Sequence, residues 1–154
     1  MHFKLVTPER VLFEEEALSV TLPTMEGEIT VLPHHEPLVA VLKAGVAKLM
    51  RPDRTIEDIA VSAGFIQISA NQITVLADTA ERGDELTIES IREAQTRATE
   101  LMTQTKFSDD TAYASAAAAM ERELARQKTV VRHRARRGIP LADKDALPYD
   151  TNSA

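Results

Sequence analysis

Up to about residue 80 the apolar positions fall in short runs rich in Val, Ile and Leu: FKLV, RVLF, ALSVTLP, EITVL, PLVAVL, GVAKLM, IEDIAVS, FIQIS and QITVLAD. Between them stand Pro8, Pro23, Gly27, Pro33, Gly45, Pro52-Asp53, Gly64 and Asn71, residue types that turn or break a chain. In ALSVTL, Leu18, Val20 and Leu22 alternate with Ser19 and Thr21, the period of a strand with one buried face. Nine or so strands at a spacing of roughly 8 to 10 residues predict a small antiparallel sandwich or barrel.

The period changes after Gly83. Thr87 and Ser90 mark a helix start, and Ile88, Ile91, Ala94 or Gln95, Ala98, Leu101 and Met102 recur at helical spacing. FSDD interrupts the run, and Asp109 or Asp110 is placed to cap a second helix, because a carboxylate accepts hydrogen bonds from first-turn amides. That helix is expected from about Thr111 to Arg136, with Tyr113, Ala117, Met120, Leu124 and Val131 on one stripe. Ala114 and Ala116 to Ala119 bury little area, so the two helices are expected to grip weakly and to form a hairpin able to open. The organisation that follows is an antiparallel β-sandwich of about ten strands over residues 1–84, an antiparallel two-helix hairpin over 85–137, and a flexible tail over 138–154, where two prolines and mixed charges show no period.

Composition narrows the chemistry. With no cysteine, disulfides, thiolate catalysis and cysteine-based zinc sites are excluded. No uncharged apolar run reaches the roughly 18 to 20 residues that span a bilayer, and the start MHFKLVTPER lacks the apolar centre of a signal peptide, so the chain is expected to be soluble and not exported. Ser62 in VSAGF lacks the preceding glycine of a nucleophile elbow, and the five glycines form no phosphate-binding loop. No catalytic residue is expected. His34-His35-Glu36, between Pro33 and Pro37, would suit a metal only if the backbone turned, since strand neighbours point to opposite faces; a solvent-facing or partner-facing turn without metal is the expectation.

The net charge of −6 hides one reversal: residues 121–137 carry seven Lys and Arg against two Asp and Glu. RELARQKTVVRHRARR admits three readings: a solvated helix end, whose cations suit a helix C-terminus, a nucleic-acid contact, or a dock for an acidic protein. The acidic chain with so few rings argues against nucleic acid, and the acidic protein partner fits best.

VTPERVLF, TLPTMEGEITVLPHHEPLVAVLKAGV and IAVSAGFIQISANQITVLADTAERGDEL closely resemble the epsilon subunit of bacterial F-type ATP synthase, over roughly residues 3–100, with the hairpin matching in length and placement to about residue 137. The resemblance implies a ten-stranded sandwich attached to the rotor, in contact with the gamma subunit and the c ring, and a hairpin that either folds down on the sandwich or extends along gamma into the head of alpha and beta subunits, where it opposes ATP hydrolysis. It implies no chemistry of the subunit's own, and a peripheral place at the cytoplasmic face of the bacterial inner membrane, held there only through the complex. A carboxylate-rich loop of beta would face Arg122, Arg126, Lys128, Arg132, Arg134 and Arg136.

The family's segment E-G-E-x-G-x-L-P-G-H-x-P-L is matched by Glu26, Gly27, Glu28, Pro33, His35, Pro37 and Leu38. The resemblance makes Glu28 the c-ring contact and puts His35 near gamma, with Pro37 and Leu38 beside them. Thr30 and His34 replace family glycines, so altered backbone angles are expected there. Some members bind ATP as a regulatory ligand through I-D-x-x-R-A and arginines of the second helix. The corresponding residues are Ile88, Glu89 and Arg92, with Arg122 and Arg126, but Glu89 replaces Asp and Glu93 replaces Ala, and an added carboxylate beside a triphosphate is unfavourable. Two other readings are a nucleotide-sensing module and a generic sandwich that docks acidic partners.

Overall fold

The computed structural model describes residues 1–105 and 109–140. Ten strands come first: β1 (His2–Val6), β2 (Val11–Glu16), β3 (Ser19–Thr24), β4 (Gly27–Val31), β5 (Leu38–Leu42), β6 (Gly45–Met50), β7 (Ile56–Val61), β8 (Gly64–Ser69), β9 (Gln72–Ala77) and β10 (Ala80–Arg82). Two helices follow, α1 (Ile88–Thr105) and α2 (Asp110–Arg136). The nine apolar runs account for nine strands. The tenth is the three-residue β10, too short to carry a period of its own.

Strand order is β10-β7-β6-β3-β5-β8-β9-β1-β2, with β4 also on β3. β3 and β5 meet only at Thr24 and Leu42, so the ladder folds there into two layers. Every pair is antiparallel except β1 with β9, which is parallel; the opening strand closes one layer beside a strand late in the sequence. Phe3, Leu5, Val20, Leu22, Leu42, Leu49, Ile59, Ile66 and Ile73 fill the space between the layers. Leu18, expected to share the face of Val20 and Leu22, precedes β3 and is half exposed.

β7 explains how the hairpin attaches. Ile59 and Val61 enter the sandwich core, while Ala60 joins Leu86, Ile88, Ile91 and Val130 in a second apolar cluster under the helices. A strand buried on both faces reads as a continuous apolar run, as Ile59-Ala60-Val61 does. α1 opens on Thr87, whose hydroxyl accepts from the Ser90 amide at 3.4 Å. Its buried residues are Ile88, Ile91, Gln95 and Ala98, but Leu101 is exposed.

Asp109 is the cap of α2, its Oδ1 accepting from the Thr111 and Ala112 amides at 3.0 Å each. At the other end Gly138, at φ +65°, lets its own amide donate to Ala135 O at 3.2 Å and that of Ile139 to Arg134 O at 3.0 Å, a glycine-terminated helix end. The expected stripe is displaced: Tyr113, Ala117, Met120, Leu124 and Val131 are only half buried, and the buried residues are Ala116, Glu123, Ala125, Gln127, Thr129 and Val130. Polar side chains take the interior positions because each finds a partner: Gln95 Nε2 donates to Gln127 Oε1 at 2.6 Å, and Thr129 Oγ1 to Ala125 O at 2.9 Å. Most of the expected tail, residues 141–154, lies outside the described residues.

Candidate functional site

The HHE turn joins β4 to β5. His35 donates its amide to Leu32 O at 3.2 Å, and its Nδ1 lies 2.7 Å from Glu36 O. His34 adopts φ 64°, the left-handed conformation glycine takes most easily. Its amide is held by Asn71 Oδ1 at 3.2 Å. The histidine thus stands at an angle open to glycine and is tied to the β8–β9 turn. Thr30 sits in the regular ladder of β4, opposite Thr21, with their hydroxyls 2.9 Å apart. Glu28, on the same strand, and Pro37, next to the turn, are exposed; His35 is half exposed and Leu38, at the start of β5, lies at the margin of exposure. No group of three or more His, Asp or Glu side chains able to hold a metal occurs among the described residues.

A second feature escaped the sequence reading. On the outer face of the layer β5-β8-β9-β1-β2, Val41 stands opposite Phe65, Phe65 opposite Leu76, Leu76 beside Val6, and Val6 opposite Val11. Phe65 is 59% exposed, Leu76 52%, Val11 49% and Val41 48%, with Val39 next to the row at 73%. Scattered exposed apolar residues are ordinary, but a contiguous row on one sheet face marks an interaction site. The signal was present in PLVAVL, whose outward positions Pro37, Val39 and Val41 are all apolar.

The basic end of α2 does not lie free. Arg136 Nε and Nη2 donate to Asp58 Oδ2 and Oδ1 at 2.6 and 3.2 Å, and the Asp58 side chain is fully buried. This hydrogen bond, outweighing burial, raises the Arg136 pKa above its ordinary value. Arg126 bridges two elements: Nη1 donates to Glu123 Oε2 at 2.6 Å, and Nη2 to Glu81 Oε1 on β10 at 3.2 Å. Its Nε lies 2.7 Å from Glu81 Oε2 without pointing at it, a contact of charge rather than a full hydrogen bond. Burial opposes the charge on Arg126, yet the bond to Glu123 and the field of both carboxylates hold its pKa above the usual value. Arg122 Nε pairs with the buried Glu123 at 3.3 Å, Lys128 is exposed, and Arg132 buries an Nη1 without a hydrogen-bond partner. Arg134 is half buried within the same turn. Asp58 and Glu81 were missed, although an aspartate inside the apolar run IEDIAVS was a signal.

The residues expected at a nucleotide are divided. Ile88 is buried under the helices and Glu89 is exposed. Arg92 lines a groove of about 590 Å³ along α1 with Gln95, Thr99 and Thr103. Arg122 and Arg126 line a different cleft of about 380 Å³, shared with Glu9, Asp78, Glu81, Glu85 and Glu123.

A family model for the beta-sandwich domain of the ATP synthase delta/epsilon chain matches residues 1–83. The ATP synthase epsilon chain of Moorella thermoacetica is 41% identical over 128 residues, 83% of this chain and 94% of that relative. That of Nitratidesulfovibrio vulgaris is 37% identical over 128 residues, 83% and 93% of the two chains. Among solved structures, a chain of the Euglena gracilis mitochondrial ATP synthase OSCP/F1/c-ring assembly aligns with a TM-score of 0.71 at 19% identity, covering 83% of this chain and 79% of that one. A chain of the Tetrahymena thermophila mitochondrial ATP synthase central stalk and c ring aligns at 0.53 and 12% identity, covering 84% and 95%. At those identities the structural likeness is one of fold.

Proposed function

The chain belongs to the ATP synthase epsilon chain family, and on that premise we propose that it is a non-catalytic subunit of the enzyme's central stalk, coupling gamma to the c ring during proton-driven synthesis. The observation that carries this reading is the uncovered apolar row of Val41, Phe65, Leu76, Val6 and Val11. Fully burying an exposed side chain of this kind is worth about 1.5–3 kcal/mol, and with about half of each of Val41, Phe65, Leu76 and Val11 still to bury the row supplies the centre of an interface with gamma. Glu28, on β4, then meets the c ring, and the turn carrying His35 and Pro37, with Leu38 at the start of β5, lies beside gamma. The exposed part of α2's basic segment, Lys128 above all, is the first point of contact for an acidic loop of beta when the hairpin rises into the alpha and beta head, where it restrains hydrolysis. No helix of the described residues is long and apolar enough to cross a membrane, which fits attachment through the complex at the cytoplasmic face of the bacterial membrane.

One pull-down from assembled enzyme tests the assignment. Phe65→Asp with Leu76→Asp is expected to release gamma, while Glu28→Ala keeps gamma and loses the c ring. Retention of gamma at the wild-type level by the folded Phe65→Asp/Leu76→Asp protein would refute the placement.

A further inference from the structure

Arg126 and Arg136 belong to the basic segment that the acidic partner of α2 would engage, yet in the folded hairpin both are already held by carboxylates of the sandwich. Asp58 on β7 takes Arg136 through two bonds, 2.6 and 3.2 Å, with its side chain fully buried. Glu81 on β10 takes Arg126 at 2.7 and 3.2 Å. The two clasps sit about ten residues, nearly three helical turns, apart along α2, and between them Val130 enters the apolar cluster on Ala60.

We propose that Asp58 and Glu81 are an internal substitute for the acidic partner: they compete with it for the same two guanidiniums, and this competition sets how readily the hairpin leaves the sandwich. The inference rests on the regulatory part of the function proposed above and adds the element that opposes it. The chemistry permits exchange. A guanidinium with a carboxylate on one side of the hairpin loses little by trading it for another, because the opposite charge it pairs with is the same in kind. Asp58, freed when α2 lifts away, returns to water and leaves no buried unpaired charge. A hairpin held only by apolar contacts would have to lose them without replacement. One held by ion pairs gives up its clasp in proportion to the partner it finds.

The two sides of each pair separate the effects. Asp58→Asn with Glu81→Gln weakens the clasps and keeps both arginines cationic for the partner. Arg126→Gln with Arg136→Gln weakens the clasps and removes the partner contact as well. In the full chain, the carboxylate variant is expected to raise amide hydrogen exchange across residues 123–136 by about tenfold. In the assembled enzyme it should lower ATP hydrolysis to less than half. Adding the two arginine substitutions to that background should restore hydrolysis while exchange stays fast. If Asp58→Asn prevents folding, Glu81→Gln alone, at a half-exposed strand edge, must shift both readouts the same way.

Unchanged exchange in the folded carboxylate variant overturns the proposal. So does a fall in hydrolysis that persists without the arginines, because the partner would not then be using them. Faster exchange with unchanged hydrolysis also overturns the competition. Should an enzyme lacking the hairpin then hydrolyse ATP at the wild-type rate, the regulatory reading itself fails as well.

Discussion

At the scale of single residues, the most informative position is His34, which stands where the family segment has glycine. Its backbone stands at φ 64°, in the left-handed region that glycine enters without strain. A left-handed angle costs an L-residue about 1–2 kcal/mol, and histidine accepts it here because its amide is paired with Asn71 Oδ1. Asn71 is itself at φ 64°, after Ala70 at 47°, the two positive angles of a tight β-hairpin turn. Its carbonyl also accepts from the His2 amide at 3.0 Å, so one turn residue fixes both β1 and the HHE turn. Asn71→Gly keeps the turn angle and removes only the acceptor. It is expected to lower stability by about 1 kcal/mol, read as a reduced melting temperature, while Asn71→Asp, which preserves the oxygen, stays near wild type. No spacing rule reveals this contact, because His34 and Asn71 are brought together by the β5–β8 pairing and not by proximity in the chain.

At the scale of elements, periodicity located α2 within one residue at its start and placed its end at Arg136, as found, yet mistook the face it buries. Apolarity alone ranks Tyr113, Met120 and Leu124 above Glu123 and Thr129, and only partners reverse that order. Glu123 is buried because Arg122 and Arg126 neutralise it. The grip of this helix also depends on a residue with no side chain. A Cβ built on Gly83, in the turn after β10, would stand 2.8 Å from His133 Cβ and 2.9 Å from its Cγ. Those atoms are close to the helix backbone and cannot swing away as a flexible tip would, so the helix has to shift. Gly83→Ala is therefore expected to loosen α2 without altering any charge, by about 1–3 kcal/mol. Hydrogen exchange of α2 in the full chain should rise while that of β8 and β9 stays as in wild type; equal protection in both would show that the turn yields instead.

At the scale of the whole molecule, three surfaces occupy different places and can be engaged together. The hairpin covers β6 and β7, the apolar row lies on the other layer, and the HHE turn sits at the junction of β4 and β5. The two-layer architecture and the hairpin were legible because each depends on a local period. The parallel closure of β1 on β9, the apolar row and the clasps to Asp58 and Glu81 were not, since each needs pairings of residues far apart in sequence. The core carries a further consequence. None of the residues filling the sandwich comes from α1 or α2; the helices meet it through the separate cluster on Ala60 and the ion pairs to Asp58 and Glu81. Removing residues 86–154 should thus leave a folded sandwich that still presents the apolar row and the HHE turn. Assembly and proton-driven synthesis by the complex are expected to persist, and hydrolysis to rise. The size of that rise reports the fraction of enzyme restrained by the risen hairpin, with about 1.4 kcal/mol between hairpin states for each tenfold change in their ratio. A rate unchanged by the truncation would confine the subunit to coupling.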